Sequence, residues 1–317
     1  MAVYASVTDL IGNTPIVDIS ALSPNPRVRI LAKLEGQNPG GSVKDRAAKW
    51  MIEAAEASGE LKPGMTVLES SSGNTGIALA MICKMKGYPF KVVLPENVSE
   101  ERRQALEVWG SEIIPSPAGE GSNGAMRRAR KLAAENPEWF FPFQYGNHAN
   151  PRAHYESTGP EIWRDVPELT HFIAGLGTAG TLMGVSTFLK EQNPDIQIWA
   201  IEPPAGEMVD GLKNIDEDDA FIPPVYDDWK GPELLNRKII VRPRESIEWT
   251  RRFTEIGLFT GISSGAILAG AAKAANEIDE GVIVMIVCDS GWKYLSTGVW
   301  TLPIEEVEKR AKATIYF

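Results

Sequence analysis

The stretch His171-Phe172-Ile173-Ala174-Gly175-Leu176-Gly177-Thr178-Ala179-Gly180-Thr181 sets a short apolar run against a turn of glycines and hydroxylic residues. Beyond it, residues 181–190 read as a helix. A buried strand that turns through glycine into a helix is the repeating unit of a mostly parallel sheet, because parallel neighbours need a crossover connection. The same grammar extends in both directions. Strands are predicted at 28–34, 66–69, 91–94, 112–114 and 140–141, then at 171–174, 197–201, 238–241 and 282–288. Helices are predicted at 44–58, 74–85, 99–109, 125–134, 181–190, 247–256, 265–276 and 304–312, most following Gly, Ser, Thr or Pro signals, with Ser99 expected to cap its helix. The expected fold class is α/β, two open, mostly parallel sheets with helices on both faces. A cluster of turn formers at Gly146-Asn147-His148-Ala149-Asn150-Pro151 marks a seam between them.

Composition narrows the function classes. At 317 residues with 43% hydrophobic and 23% charged residues, the chain reads as an ordinary soluble protein of two domains. The apolar run at 282–288 is too short to span a bilayer, and Met1-Ala2-Val3-Tyr4 lacks the basic-then-apolar pattern of a secretory signal, so the cytoplasm is the expected location. A net charge of −10 argues against nucleic acid or a membrane as a partner, and Asp216-Glu217-Asp218-Asp219 reads as a solvated loop. Cys83 and Cys288 read as reduced core residues, and with only three histidines no metal site is expected. Residues 208–230, acidic, with several prolines and without periodicity, read as a surface excursion or a flap.

Candidate chemistry begins at Asn38-Pro39-Gly40-Gly41-Ser42-Val43-Lys44-Asp45-Arg46, a Gly- and Pro-rich loop that runs into a helix with a lysine in its first turn. The positive end of the helix and burial in a pocket both favour the neutral amine, the form that attacks an aldehyde. A solvated surface lysine is the commoner occupant of such a position, so the neighbouring loops decide. Ser70-Ser71-Ser72-Gly73-Asn74-Thr75-Gly76 offers hydroxyls, an amide and a helix start to a carboxylate or ring hydroxyl, or simply caps a helix. Gly175, Gly177 and Gly180 satisfy GxGxxG, and Glu202 closes the next strand, so a nicotinamide-dependent oxidoreductase is a rival reading. Thr178 and Thr181 suit a single phosphate instead. In Gly261-Ile262-Ser263-Ser264-Gly265-Ala266 a serine either caps a helix or meets a cofactor heteroatom.

Taken together, GGSVKDR, SSSGNTG, GTAGT and GISSGA, in this order over nearly the whole chain, closely resemble the fold-type II pyridoxal-phosphate enzymes of the cysteine synthase family. Ile11-Gly12-Asn13-Thr14-Pro15, Glu101-Arg102-Arg103 and Thr158-Gly159-Pro160-Glu161-Ile162-Trp163 also resemble it. The resemblance implies pyridoxal 5'-phosphate on Lys44, its phosphate held by Gly177, Thr178, Ala179, Gly180 and Thr181, its ring hydroxyl facing Asn74 and its ring nitrogen facing Ser263. It implies a substrate carboxylate held by Ser71, Ser72, Asn74, Thr75 and Gln144, and a unit at 41–147 with a mobile substrate-binding part beside a larger one made of 1–40 and 148–317. Ser71 stands where the family usually has threonine and Ala179 where glycine is usual. The regions 206–217 and 289–298 resemble the actinobacterial branch that uses O-phosphoserine and a thiocarboxylated sulfur-carrier protein, with Lys213 where that branch places a phosphate-binding arginine. The implied reaction is β-replacement through an aminoacrylate to give L-cysteine, by a homodimer, from O-phosphoserine or O-acetylserine. Cystathionine β-synthase-like and serine or threonine deaminase-like relatives share similar loops, and a non-catalytic scaffold is a third possibility. The same branch tucks its terminus into the site, a role for Ala313-Thr314-Ile315-Tyr316-Phe317.

Overall fold

A computed structural model describes residues 3–71, 73–216 and 221–313; Ser72, most of the acidic cluster and the C-terminal aromatic pair fall outside the described residues. In the first half, β1 (Ile16–Asp18) and β2 (Val28–Leu34) lead to α1 (Lys44–Ser58). Then β3 (Val67–Ser70), α2 (Asn74–Lys86), β4 (Phe90–Pro95), α3 (Glu100–Glu107), β5 (Glu112–Ser116) and α4 (Gly121–Glu135) alternate. After α5 (Ala149–Ala153), one π-helical turn at His154–Thr158 and α6 (Gly159–Asp165), the alternation resumes with β6 (His171–Gly175), α7 (Gly180–Gln192) and β7 (Gln197–Glu202). Two short helices, α8 (Pro224–Asp228) and α9 (Gly231–Leu234), precede β8 (Arg237–Ile240), α10 (Pro243–Thr254), α11 (Ile262–Glu277), β9 (Gly281–Val287) and α12 (Ile304–Ala313).

Two sheets result. The larger has the order β1-β2-β9-β6-β7-β8, with β1 antiparallel to β2 and every other pair parallel. The smaller is β3-β4-β5, all parallel. Alternation explains the unbroken apolar run of β9: Ile283 and Met285 pack with α11 residues such as Ile267 and Ala271, while Val284 and Ile286 join Leu182 and Met183 of α7 on the other face. Both faces are covered, so neither set of alternate residues is polar. In the smaller sheet, Val92 and Leu94 meet α1 and α2, whereas Leu68 and Val93 meet Ala125 and Ala129 of α4.

Several sequence expectations change. β1 was not expected, and Phe140 forms only a one-residue bridge to Val67 rather than a strand. The turn formers around Asn147 start a helix: the Ala149 N–H donates to Asn147 Oδ1 at 2.9 Å, and α5 follows at once. Ser99 makes no capping hydrogen bond. Within 208–230, Val209, Leu212, Ile215, Val225 and Tyr226 are all buried, so this part of the chain is more than a surface excursion.

Helix α11 crosses α10 closely at Gly265, where an added Cβ would lie 2.0 Å from Thr250 Oγ1 and 2.4 Å from the Ser246 carbonyl. The second of those atoms is backbone and cannot step aside. Gly265→Val is therefore expected to lower stability by about 1–3 kcal/mol or more, read as a reduced midpoint in urea unfolding.

Candidate active site

The C-terminal ends of the strands in both sheets open on one cleft, formed by two adjoining cavities that share Lys44, Asn74, Gly177, Thr178, Gly211, Leu212 and Ser263. Lys44 is the first residue of α1, and its backbone N–H meets Ser42 Oγ at 3.2 Å. Burial lowers its pKa, against the weaker opposing pull of Cys288 and Asp289. The amine therefore deprotonates more readily than a surface lysine. Cys288, expected to be a plain core residue, lines the deeper cavity beside it, and both cysteines are free.

The glycine turn before α7 is packed closely on both sides. A Cβ at Gly180 would lie 2.1 Å from Asn150 Oδ1, and one at Gly177 would lie 2.4 Å from the Gly211 carbonyl. Ala179 sits in the left-handed region at φ 66°, where glycine is free of the strain an alanine carries. Among the described residues, the backbone N–H groups of Gly177, Thr178, Ala179 and Thr181 have no acceptor. N–H groups without acceptors at the start of a long helix fit a phosphate. Thr181 Oγ1 lies 3.1 Å from Nε2 of the buried His154, whose pKa is pushed down to about 3 chiefly by burial.

The loop before α2 shows how a cap and a ligand site coexist. Ser71 Oγ accepts from the N–H groups of Gly73 and Gly76 at 3.3 and 3.0 Å, which leaves its proton free for a ligand. Thr75 instead gives its hydroxyl proton to Gln144 Oε1 at 2.6 Å, which turns the Gln144 amide so that its NH₂ is left for the cleft. Asn150 Nδ2 ties the Gln144 carbonyl, at 2.9 Å, to Thr178 Oγ1, at 3.2 Å. Ser263 is not a cap: Gly261 precedes α11, and Ser263 lies within the helix facing the cleft.

Lys213 also reaches the cleft. Its Nζ sits 4.4 Å from the Tyr145 ring centre and 4.9 Å from that of Phe221, and burial lowers its pKa to about 8. Glu202 does not line either cavity; its Oε2 accepts from the Ile215 N–H at 3.5 Å, which removes the ribose ligand that a dinucleotide site needs.

A family model described as pyridoxal-phosphate dependent enzyme matches residues 7–289. The chain belongs to that family. Cysteine synthase B of Pseudomonas aeruginosa is 41% identical over 94% of this chain and 98% of its own, and cysteine synthase B of Escherichia coli is 40% identical over 93% and 96%. Among solved structures, O-ureido-L-serine synthase matches with a TM-score of 0.87 at 35% identity over 94% of this chain and 96% of that one. A cysteine synthase from Entamoeba histolytica matches with a TM-score of 0.87 at 33% identity, over 97% and 95%. The chain is thus a fold-type II member of the cysteine synthase family, and the oxidoreductase reading falls.

Around this cleft stand charged residues to which sequence reasoning gave no role. Arg102 and Asp210 form a buried pair at 3.2 Å at the cleft wall, and burial pushes the Asp210 carboxyl up to about 7 against the pull of Arg102. Glu101, in the first turn of α3, accepts from the backbone N–H and hydroxyl of Ser296, both at 2.8 Å. One local signal was available for Arg102: a cation in the first turn of a helix stands against the dipole and calls for a partner elsewhere.

Proposed function

We propose that this enzyme makes L-cysteine by replacing the β substituent of O-phospho-L-serine or O-acetyl-L-serine with sulfur. What supports this most is the convergence of a buried lysine, a hydroxyl-and-amide loop and a phosphate-sized turn of N–H donors in one cleft. Pyridoxal 5'-phosphate, when bound, supplies the electron sink that acidifies the substrate Cα. The chain's own residues do the rest. Lys44 anchors the cofactor aldehyde, takes the Cα proton when the substrate displaces it, and returns that proton after sulfur has added. The 177–181 turn holds the phosphate, Asn74 the ring hydroxyl and Ser263 the ring nitrogen. A serine there brings no charge to stabilise a protonated ring, which favours loss of a β leaving group over transamination. Ser71, Ser72, Asn74, Thr75 and Gln144 orient the substrate carboxylate, Thr75 acting through the Gln144 amide.

Lys213 favours O-phosphoserine. Among the described residues it has no carboxylate partner, and its aromatic surroundings leave its charge to an incoming anion. Lys213→Ala is expected to lower kcat/KM for O-phosphoserine by about 10–100-fold while changing O-acetylserine by less than about threefold. The preference in the parent enzyme should fade as pH rises through about 8, where Lys213 loses its proton. Phosphoserine turnover unaffected by the substitution would remove Lys213 from the site.

Resemblance of 206–217 and 289–298 to the actinobacterial branch supports a protein thiocarboxylate as donor, with sulfide as the alternative, and the enzyme is taken to act as a cytoplasmic homodimer. No helix among the described residues is long and apolar enough to cross a membrane. What supports a division into 41–147 against 1–40 with 148–317 is that β3 to β5 fall inside the first range and the other six strands outside it.

A further inference from the structure

Lys293 is half-buried and has no role in the chemistry above, yet two distant segments meet at its amine. Its Nζ donates to Asn74 Oδ1 at 2.6 Å and to the Gly41 carbonyl at 3.2 Å. The other end of the same amide is also engaged: Asn74 Nδ2 donates to Asp289 Oδ2 at 2.8 Å, an oxygen that also receives the Tyr294 hydroxyl at 2.6 Å. An ammonium has only donors, whereas a carboxylate oxygen accepts. An asparagine with neutral neighbours exchanges its oxygen and nitrogen by a half-turn of the terminal torsion; with Lys293 on one side and Asp289 on the other, only one of the two orientations is bonded.

We propose that Lys293 is a positioning residue that, together with Asp289, locks the Asn74 amide so that it presents the cofactor ring hydroxyl with an N–H donor and never an acceptor. This rests on the reading that Asn74 meets that group. With Oδ1 engaged by Lys293 and one Nδ2 hydrogen by Asp289, a single N–H is left for the cleft that Asn74 lines. A partner that only donates favours the ionised ring oxygen over the hydroxyl. Because Lys293 also holds the carbonyl of Gly41, one ammonium ties the loop that leads to Lys44 to the helix that begins at Asn74. Arginine keeps the charge and the donors, so Lys293→Arg conserves the device, whereas Lys293→Met keeps the buried volume without either.

The test uses full-length protein reconstituted with pyridoxal 5'-phosphate, reading the visible spectrum of the bound cofactor and its Kd by fluorescence titration. Lys293→Met is expected to move the absorption band away from its parent position and to weaken binding about tenfold. Lys293→Arg is expected to restore most of both, and Lys293→Met should add nothing in an Asn74→Ala background. Lys293→Gln carries the same test if the methionine variant does not fold. A parent-like spectrum and Kd in Lys293→Met overturns the proposal, as does an effect that persists undiminished when Asn74 is absent. An Asn74→Ala protein with an unchanged spectrum overturns the Asn74 assignment and the proposal with it, while a parent protein that takes up no pyridoxal phosphate overturns the cofactor reading itself.

Discussion

Lys44→Ala is expected to lower kcat by about 1,000-fold or more for any serine ester, and the purified protein should lose the yellow band of a lysine-linked cofactor. Proton transfer by a positioned side chain contributes about 100–10,000-fold, and in the proposed reaction Lys44 takes on that transfer as well as the anchoring. The 177–181 turn proposed to hold the phosphate is untouched by the change, so the variant should still bind pyridoxal 5'-phosphate without a covalent link. Folding should survive too. Among the described residues Lys44 makes no ion pair, and its desolvated amine works against stability rather than for it. Lys44→Arg should not rescue turnover, because a guanidinium does not give up its proton.

Two residues along the same helix, Arg46→Ala should have the largest effect on stability of any substitution at a charged residue, about 3–5 kcal/mol. Arg46 is 1% exposed and bridges two buried carboxylates, Nε to Glu35 at 2.7 Å and Nη1 to Glu161 at 2.7 Å, while Lys33 Nζ meets Glu161 at 2.8 Å. These contacts fasten α1, and with it Lys44, to the turn that follows β2 and to α6. Removing the guanidinium strands both carboxylates in the interior, which costs far more than the pair itself contributes. The pH dependence follows from Glu161. Burial alone would raise its pKa, but hydrogen bonds and charge from Arg46, with help from Lys33, hold it at about 2 against an ordinary 4.5. A carboxylate depressed on folding gives stability that is complete above the unfolded value and is lost as pH falls toward the folded one. The parent should therefore weaken as pH drops from about 4.5 toward 2, and Arg46→Ala should show a shallower slope over that window. Urea unfolding followed by tryptophan fluorescence at several pH values measures both effects.

The parts of this molecule legible in the sequence are those whose signal is local. Apolar runs at β2, β6, β7 and β9 stand out because both sheet faces are covered, and the glycine turns stand out because a helix start that holds a phosphate needs small residues. The shared cleft gathers Lys44, Asn74, Thr178 and Ser263 from four such local signals. What stayed hidden is partnered over long separations. Arg102 and Asp210 lie 108 residues apart, and Lys293 and Asn74 lie 219 apart, so no period or cap announces either contact. The three-residue β1 is too short to show alternation. At Thr75, the family resemblance implied a carboxylate ligand, and no local pattern announces that its hydroxyl donates to Gln144, 69 residues away. His154 sits in a π-turn, a departure from helical spacing that single-sequence periodicity does not register.

The central claim is that Lys44, and no other lysine, carries the cofactor. Treating the yellow protein with borohydride and mapping its peptides by mass spectrometry measures this directly, since reduction makes the lysine linkage permanent. A single pyridoxyl-phosphate mass increment on the peptide containing Lys44 is the predicted result. An increment on Lys213 or Lys293 in its place, or none on any peptide from protein that was yellow before reduction, would contradict it.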